Sequence, residues 1–333
     1  MRIAVAGSGG FVGSAVVSEA RRRGLEVVPI LSPRLHCSPA DSPSDHVRSW
    51  MEREARTRDA LVESLGGVDV VVNAAGLATP ECRAVPALFG ANSALPGLLA
   101  CTAAEAGVRR MVHVSSAAVQ GRRHRLDETP LTAPVTPYGD SKARGEAFLL
   151  ERRLEAPNEI AVYRPTSVQG VDRGMTRQLA RLARLPAIPS CQRGQVPLPV
   201  TLIENVAAGI LHVCTAQACP SIVLQPWEGL TVRSLLACFG SGRIVGIPRA
   251  MASSALTVLW TGGRLLPAVA AVGRRLELLV FGQEQDAKAL VDLGFSPPSG
   301  LDGYRHLADR LVRRRGSSMS LDSLRRSNGE DPD

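Results

Sequence analysis

The sequence predicts an α/β protein that is built on a doubly wound parallel sheet and carries a smaller α/β lobe towards its C-terminal end. Three observations support this class. An apolar run at residues 3–6 breaks into a glycine-rich turn, strand and helix patterns alternate from there to about residue 165, and the pattern then changes. We therefore divide the chain into a first domain (1–165), a lobe interleaved with it (166–312) and a disordered tail (313–333).

The glycine-rich turn contains Gly7, Gly10 and Gly13, in the spacing Gly-x-x-Gly-x-x-Gly. Gly7 ends the strand where a side chain would obstruct the turn, Gly10 lets the backbone approach a pyrophosphate, and Gly13 lets the helix pack closely on the strand. The helix N-terminus that follows offers free N–H groups and a favourable dipole to phosphates. The stretch predicts a Rossmann-type dinucleotide site, which Phe11 and Val12 would also contact.

The end of the second predicted strand, residues 25–31, bears on the choice between NAD and NADP. An acidic residue about 20 residues after the glycines would bind the ribose hydroxyls of NAD, but Leu31-Ser32-Pro33-Arg34 contains none. Ser32 and Arg34 could instead hold the 2′-phosphate of NADP. We therefore expect NADP in preference to NAD, the alternative being that Arg34 is a solvated loop residue.

Further strands follow. We expect the third strand within residues 33–58, which are rich in Pro, Ser and Asp, so that its position there is not defined. Residues 68–73 form a strand pattern that ends in Asn73-Ala74-Ala75-Gly76, small residues along which a cofactor could pass. A strand at 111–116 contains His113, which we interpret as a core histidine. Residues 159–165 would be the sixth strand of the sheet.

One spacing carries acid–base chemistry. Tyr138 and Lys142 are four residues apart, so in a helix a phenol and an ammonium group face the same side. A free phenol has a pKa of about 10, and we expect the Lys142 cation to lower the pKa of Tyr138 towards neutrality. Ser116, at the end of its strand, would hold the oxygen of the reacting carbonyl or alcohol.

These motifs resemble the extended short-chain dehydrogenase/reductase family, also called the NAD-dependent epimerase/dehydratase family, over residues 1–312. The resemblance implies that Ser116, Tyr138 and Lys142 are catalytic. It also implies a set of residues that contact the cofactor. Besides Ser32 and Arg34, these are Gly7, Gly10, Phe11, Val12, Gly13, Ala74, Ala75, Gly76, Asn92, Ser115, Tyr138, Lys142 and Pro165.

Residues 163–170, 198–207 and 281–298 resemble sugar-nucleotide members of that family. The resemblance implies that the second lobe binds a nucleoside-diphosphate sugar, with Ser116 and Ser167 among the contacts. A helix predicted at 175–185 places Arg177, Arg181 and Arg184 on one face, where they could clamp a diphosphate or be merely solvated.

One departure from the pattern of this family bears on the type of reaction. Where 4,6-dehydratases carry an Asp-Glu pair, this chain has Ala117-Ala118, which can move no protons. We therefore prefer a 4-ketoreductase, with a 4-epimerase that retains NAD as the alternative. A non-catalytic dinucleotide-binding regulator, or an enzyme for a hydrophobic ketone, explains the motifs less well.

Composition restricts the other classes. The net charge is +8, but the arginines are dispersed and only 4% of residues are aromatic, so we expect no nucleic-acid partner. Seven cysteines without a Cys-x-x-Cys pair predict no metal site and no disulfide framework, which suits the cytoplasm. A strand that starts at residue 3 leaves no room for a signal peptide. Gly262, Gly263 and Pro267 interrupt the apolar stretch 250–272, so we expect two short helices there rather than a membrane contact. We also expect that the protein could form a homodimer.

Overall fold

The computed structural model describes residues 1–78, 83–240, 243–254, 257 and 276–327, with side chains of the last helix described as far as Arg314. A parallel sheet of six strands lies at the centre of this described part, which confirms the predicted α/β class. In chain order the strands are β1 (Arg2–Ala6), β2 (Glu26–Ile30), β3 (Val70–Asn73), β4 (Arg110–Val114), β6 (Glu159–Arg164) and β10 (Ile222–Leu224). Their spatial order is β10-β6-β4-β3-β1-β2, and every pairing is parallel.

Helices cover both faces of the sheet, and further helices belong to the lobe. In chain order they are α1 (Phe11–Arg22), α2 (Pro43–Arg53), α3 (Ala55–Ser64), α4 (Pro86–Phe89), α5 (Leu95–Glu105), α6 (Pro137–Glu155), α7 (Gly174–Leu182), α8 (Ile203–Thr215), α9 (Val232–Phe239), α10 (Ala289–Asp292) and α11 (Leu301–Ser327). A π-helical turn, Gly90–Ala94, joins α4 to α5.

Except for the edge strand β2, which is partly exposed, the strands are buried on both faces, and their successive side chains point alternately into the two cores. Ile3 and Val5 belong to one core cluster, which α1 and α8 cover, whereas Ala4 and Ala6 belong to the other. This two-sided burial explains why the strands read as near-continuous apolar runs in the sequence. The order in which strands are added to the sheet reverses at β1: β2 lies on one side of it, and β3 and the later strands lie on the other. In such sheets a crevice for ligands opens between the two strands at this point, at their carboxyl ends.

The prediction of a third strand within residues 33–58 was wrong. Residues 33–58 are all described and contain no strand; their main elements are α2 and the first part of α3. Ser42 begins α2 by accepting a hydrogen bond from the Asp45 N–H at 3.5 Å, and Pro43 occupies its first turn. The strand at Glu159–Arg164 is therefore the fifth of the sheet, and β10, from the second half of the chain, is the sixth.

The lobe has three short parallel strand pairs beside its helices. They join β5 (Arg125–Leu126) to β12 (Glu284–Gln285), β7 (Ser167–Gln169) to β9 (Val200–Leu202), and β8 (Ala187–Ser190) to β11 (Arg243–Gly246). A separate apolar cluster fills this lobe and includes Tyr304, Leu307 and Leu311 of α11. The lobe therefore has its own core, while α8 and β10 from the same stretch of chain complete the central fold.

Several predicted segments fall partly outside the described residues. Of the apolar stretch 250–272, residues 255–256 and 258–272 lie outside, so its two predicted helices stay a prediction. Helix α11 continues to Ser327, into the predicted tail, and residues 328–333 lie outside the description. One helical segment, Pro86–Glu105, is long and apolar enough to cross a membrane by length and composition, but 78% of its most apolar window is buried in the protein, as in a core helix.

Candidate active site

The glycine turn is closed by backbone contacts that exclude side chains. Gly7 has φ +76°, and a Cβ there would lie 2.6 Å from the Ala75 nitrogen. A Cβ on Gly13 would lie 2.0 Å from the Gly7 oxygen, so the helix can approach the strand only without one. Gly10 is the N-cap of α1, whose first turn holds no acidic residue. Phe11 and Val12 follow as the first helical residues, and the helix N-terminus is free to receive an anion.

The loop after β2 carries a hydroxyl group at Ser32 and a guanidinium group at Arg34. Neither position has the carboxylate that would bind the ribose hydroxyls of NAD. Within the described residues the Ser32 hydroxyl is buried and has no hydrogen-bond partner. Arg34 is exposed and Leu31 is 96% exposed. A buried hydroxyl without a partner costs free energy, so a ligand group at this position would satisfy it.

The segment after β3 lies against two of the predicted site residues. A Cβ on Gly76 would lie 2.7 Å from Asn92 Oδ1 and 3.0 Å from Lys142 Nζ, so only glycine leaves this space open. Asn92 uses its amide to hold the chain here: Oδ1 accepts from the Leu77 N–H at 3.0 Å, and Nδ2 donates to the Leu77 oxygen at 2.8 Å and to Ser141 Oγ at 3.0 Å. Asn92 therefore positions the cofactor-side loop, and direct contact with a cofactor stays a prediction.

The end of β4 presents two serines. Ser115 is buried, its N–H donates to the Tyr163 oxygen at 2.7 Å, and its hydroxyl has no partner within the described chain. Ser116 begins a short 3₁₀ turn, and its Oγ accepts from the Ala118 N–H at 3.2 Å. Pro165, at the end of the neighbouring β6, accepts from the Ala117 N–H at 2.9 Å. These backbone bonds fix both serines at the carboxyl edge of the sheet.

Tyr138 and Lys142 lie one turn apart in α6, which confirms their predicted placement on one helix. Thr136 caps this helix by accepting from the Gly139 N–H at 3.1 Å. Ser116 lies beside the phenol of Tyr138 and lowers its pKa by hydrogen bonding, so the structure brings together the serine and tyrosine that the sequence separates by 22 positions. The Lys142 ammonium is buried and donates to the Val114 oxygen at 2.9 Å.

The predicted effect of Lys142 on Tyr138 differs from what the structure shows. Burial raises the pKa of the Tyr138 phenol above its usual value, and the opposing influences are the hydrogen bond from Ser116 and the charge of Arg173. Burial also lowers the pKa of Lys142 to about 8, against a smaller raising effect of Glu146. Desolvation disfavours a charge on either group, and the sequence could not reveal this because it depends on packing.

Arg173 is the site residue that the sequence analysis missed. Its guanidinium carbon lies 4.8 Å from the centre of the Phe11 ring, at the start of α1. In the sequence it is one arginine among several around α7, and spacing alone could not separate it from solvated neighbours.

The predicted substrate residues are only partly brought together. The Ser167 hydroxyl donates to Met175 Sδ at 3.2 Å and accepts from Gln169 Nε2 at 3.0 Å. Arg177 and Arg181 are both exposed on α7. Arg177 lines a cavity of about 310 Å³ between α7, α9 and α11, and Arg181 is not among the lining residues. Arg184, the third residue of the predicted face, also lines this cavity but follows the end of α7 at Leu182, and the substrate roles of these residues stay predictions.

His113 is a core residue, as predicted. It is fully buried, its Nδ1 lies 3.1 Å from Asn73 Nδ2, and burial together with the Lys142 charge holds its pKa well below the usual value. Away from it, the structure brings Cys37, Asp41 and His46 together, with ligand atoms within 4.8 Å of one another. The spacing of these three residues in the sequence does not match a known zinc-binding motif, so the sequence alone could not show that they lie close together.

A parallel sheet with a glycine turn at its reversal point, and with Ser116, Tyr138 and Lys142 at its carboxyl edge, defines a short-chain dehydrogenase/reductase of the extended type. The model of the NAD dependent epimerase/dehydratase family matches residues 3–219, and the chain belongs to this family. No curated protein matches the sequence significantly.

Solved structures share the fold at low sequence identity. The UDP-glucuronic acid 4-epimerase from Bacillus cereus, in complex with NAD, is 17% identical, with 94% of this chain and 99% of that chain covered and a TM-score of 0.64. The UDP-glucose 4-epimerase of Thermus thermophilus, also in complex with NAD, is 20% identical, with coverage of 94% and 99% and a TM-score of 0.61. MoeE5, in complex with UDP-glucuronic acid and NAD, is 18% identical, with coverage of 95% and 100% and a TM-score of 0.62.

Proposed function

We propose that this protein is an NAD(P)-dependent oxidoreductase that reduces the 4-keto group of a nucleoside-diphosphate sugar. The observation that carries the proposal is the placement of Ser116 beside Tyr138, with Lys142 one helical turn away, at the carboxyl edge of the sheet. A dinucleotide-binding regulator would not need this proton-transferring group. The substrate class is supported by the UDP-sugars named for structures of the same fold.

The residues of the crevice suit a dinucleotide. The side-chain-free turn, the free N-terminus of α1 and the buried hydroxyls of Ser32 and Ser115 are features that a bound dinucleotide would satisfy. Absence of a carboxylate at Ser32 or Arg34 supports NADP, although the compared structures contain NAD. We therefore keep NADP as the proposed preference and NAD as the alternative.

Each catalytic side chain has a distinct task in the proposed reaction. A bound nicotinamide would supply the hydride that reduces the substrate carbon. Ser116 would donate a hydrogen bond to the carbonyl oxygen, and Tyr138 would deliver a proton to it as negative charge develops. Because burial raises the pKa of Tyr138, the phenol carries its proton at neutral pH, which suits a general acid in a reduction. Lys142 would bind the ribose hydroxyls of the cofactor.

A 4-epimerase is the second candidate, and the two 4-epimerases of the same fold favour it. An epimerase oxidises and reduces the same sugar carbon, so it must keep its NAD between the two steps.

The chain also has Ala117 and Ala118 directly after the catalytic serine, and neither can act as an acid or base. Elimination of water by a 4,6-dehydratase mechanism is therefore not proposed.

The purified protein can be tested for retained cofactor. The protein is denatured, and any dinucleotide that it releases is identified and counted. A ketoreductase should release little, and it should consume one NADPH for each UDP-4-keto-sugar that it reduces. Near-stoichiometric NAD in the released fraction, with a 4-epimer formed from a UDP-sugar, would replace the ketoreductase by the epimerase.

We infer a cytoplasmic protein with no nucleic-acid partner and no membrane contact, since its cysteines form no disulfide motif and its arginines are dispersed. A homodimer is part of the same proposal, and light scattering of the purified protein measures it directly.

A further inference from the structure

Arg173 connects the substrate lobe to the dinucleotide turn. It is the N-cap residue of α7, and its backbone N–H donates to the Gly170 oxygen at 3.1 Å. From this position the guanidinium lies over Phe11, the residue that follows Gly10 in the glycine turn. The turn at Gly170 is held against the same ring, because a Cβ there would lie 2.8 Å from Phe11 Cζ. The backbone bond to Gly170 and the contact with the Phe11 ring therefore hold the guanidinium of Arg173 in this position.

The Arg173 guanidinium has no anionic partner in the described part of the chain. Its Nε is buried without a hydrogen-bond partner, and the adjacent Asp172 is paired with Arg314. A cation that is partly removed from water without a counter-charge costs free energy unless a ligand supplies the charge. The contact with the Phe11 ring offsets only part of this cost.

Other features of the same place also favour an anion. The N-terminus of α1 presents free N–H groups and a positive dipole end, and its first turn has no acidic residue. The Arg173 charge reaches the catalytic phenol, since it lowers the pKa of Tyr138 against the larger effect of burial. The guanidinium therefore lies against the first residue after the glycine turn, and its charge also acts on the catalytic tyrosine.

We propose that Arg173 binds a diphosphate at the junction of the glycine turn and the substrate lobe. A guanidinium forms paired, charge-assisted hydrogen bonds with phosphate oxygens, and stacking on Phe11 holds its plane for them. The diphosphate belongs either to the dinucleotide or to the nucleoside-diphosphate sugar. The second source rests on the proposed function, whereas the first requires only that the protein binds a dinucleotide.

The test titrates the full-length protein with two probes. ADP-ribose carries the pyrophosphate of the dinucleotide without its nicotinamide, and UDP, added with saturating NADPH, carries the diphosphate of the substrate. The variants are Arg173→Gln, Arg173→Lys and the control Arg56→Gln, an exposed arginine on α3 outside the site. Urea unfolding of each variant shows whether the fold is retained.

Arg173→Gln should weaken binding of one of the probes by roughly tenfold to a hundredfold, with partial recovery in Arg173→Lys and no change in Arg56→Gln. Loss for ADP-ribose identifies the cofactor as the source, and loss for UDP identifies the substrate. Changes of less than threefold for both probes in a folded Arg173→Gln protein would overturn the proposal. Failure of the ketoreductase proposal alone would leave the ADP-ribose result readable.

Discussion

Tyr138 receives its properties from burial and from two neighbours. Desolvation raises the pKa of the phenol, and hydrogen bonding by Ser116 and the charge of Arg173 oppose this rise. Lys142 instead turns its ammonium to the Val114 oxygen. The site therefore places a protonated phenol next to the hydroxyl of Ser116, and the ammonium group of Lys142 points to the backbone of β4 instead of to the phenol.

Replacing Tyr138 by Phe should abolish turnover, because it removes the transferable proton and almost no volume. Loss of a general acid or base typically lowers the rate by about 10² to 10⁴. Steady-state kinetics with saturating NADPH measure the loss, and titration with NADPH should show nearly unchanged affinity. Activity within about threefold of the wild type, roughly 0.7 kcal/mol of barrier, would remove Tyr138 from this role.

Lys142→Met should change how stability depends on pH. The pKa of Lys142 falls from 10.5 to about 8 in the fold, so between these values the folded state binds fewer protons than the unfolded chain. The free energy of unfolding of the wild type therefore gains a rising contribution from pH 8 to 10.5, and the penalty is complete below pH 8.

Urea unfolding at about pH 7.5 and about pH 10.5 measures this effect. The stability of Lys142→Met relative to the wild type should be higher at the lower pH than at the higher one. The lost bond to Val114 adds a term that is nearly independent of pH, so it does not alter the comparison. An equal difference at both pH values would contradict a buried ammonium with a lowered pKa.

Arg34→Ala tests the cofactor preference. If the guanidinium pairs with the 2′-phosphate, NADPH affinity should fall by about 1.5 to 3 kcal/mol, roughly tenfold to a hundredfold, while NADH affinity changes little. Fluorescence titration of both proteins with both cofactors measures this. Tighter binding of NADH by the wild type, or equal loss of both cofactors in the variant, would move the preference to NAD.

Helix α6 is the element on which the catalytic pair depends, and a buried ion pair anchors it. Glu146, one turn after Lys142, accepts from Arg164 Nη2 at 2.6 Å, and both side chains are almost fully buried. Arg164 ends β6 and also donates to the Thr129 oxygen at 2.8 Å. The pair thus holds α6 against the carboxyl edge of the sheet, where Tyr138 meets Ser116.

Arg164→Met should destabilise the protein by about 3–5 kcal/mol, because it leaves the Glu146 carboxylate buried without its partner. The double variant Arg164→Met with Glu146→Gln should regain a large part of this loss, since it removes the unpaired charge. Urea unfolding at neutral pH gives both values. A single variant as stable as the wild type would show that the ion pair does not anchor α6.

Over the whole molecule, the sequence predicted what local periodicity and glycine geometry determine. The turn at Gly7, Gly10 and Gly13 and the buried apolar strands are local signals, so their placement was correct. The third strand predicted within residues 33–58 was wrong, because local patterns could not show that a distant segment, β10, supplies the sixth strand of the sheet. The same limit applies to Arg173, whose partner Phe11 lies 162 positions away in the sequence.

The fate of a labelled hydride tests the central claim most directly. The purified enzyme is incubated with a UDP-4-keto-sugar and NADPH deuterated at the transferable position, and the product is examined by NMR. A 4-ketoreductase should place deuterium at carbon 4 of the sugar and form one NADP⁺ for each product molecule. An unreduced 4-keto-sugar with no NADP⁺ formed, together with interconversion of 4-epimers when a UDP-sugar with a 4-hydroxyl group is supplied instead, would contradict it.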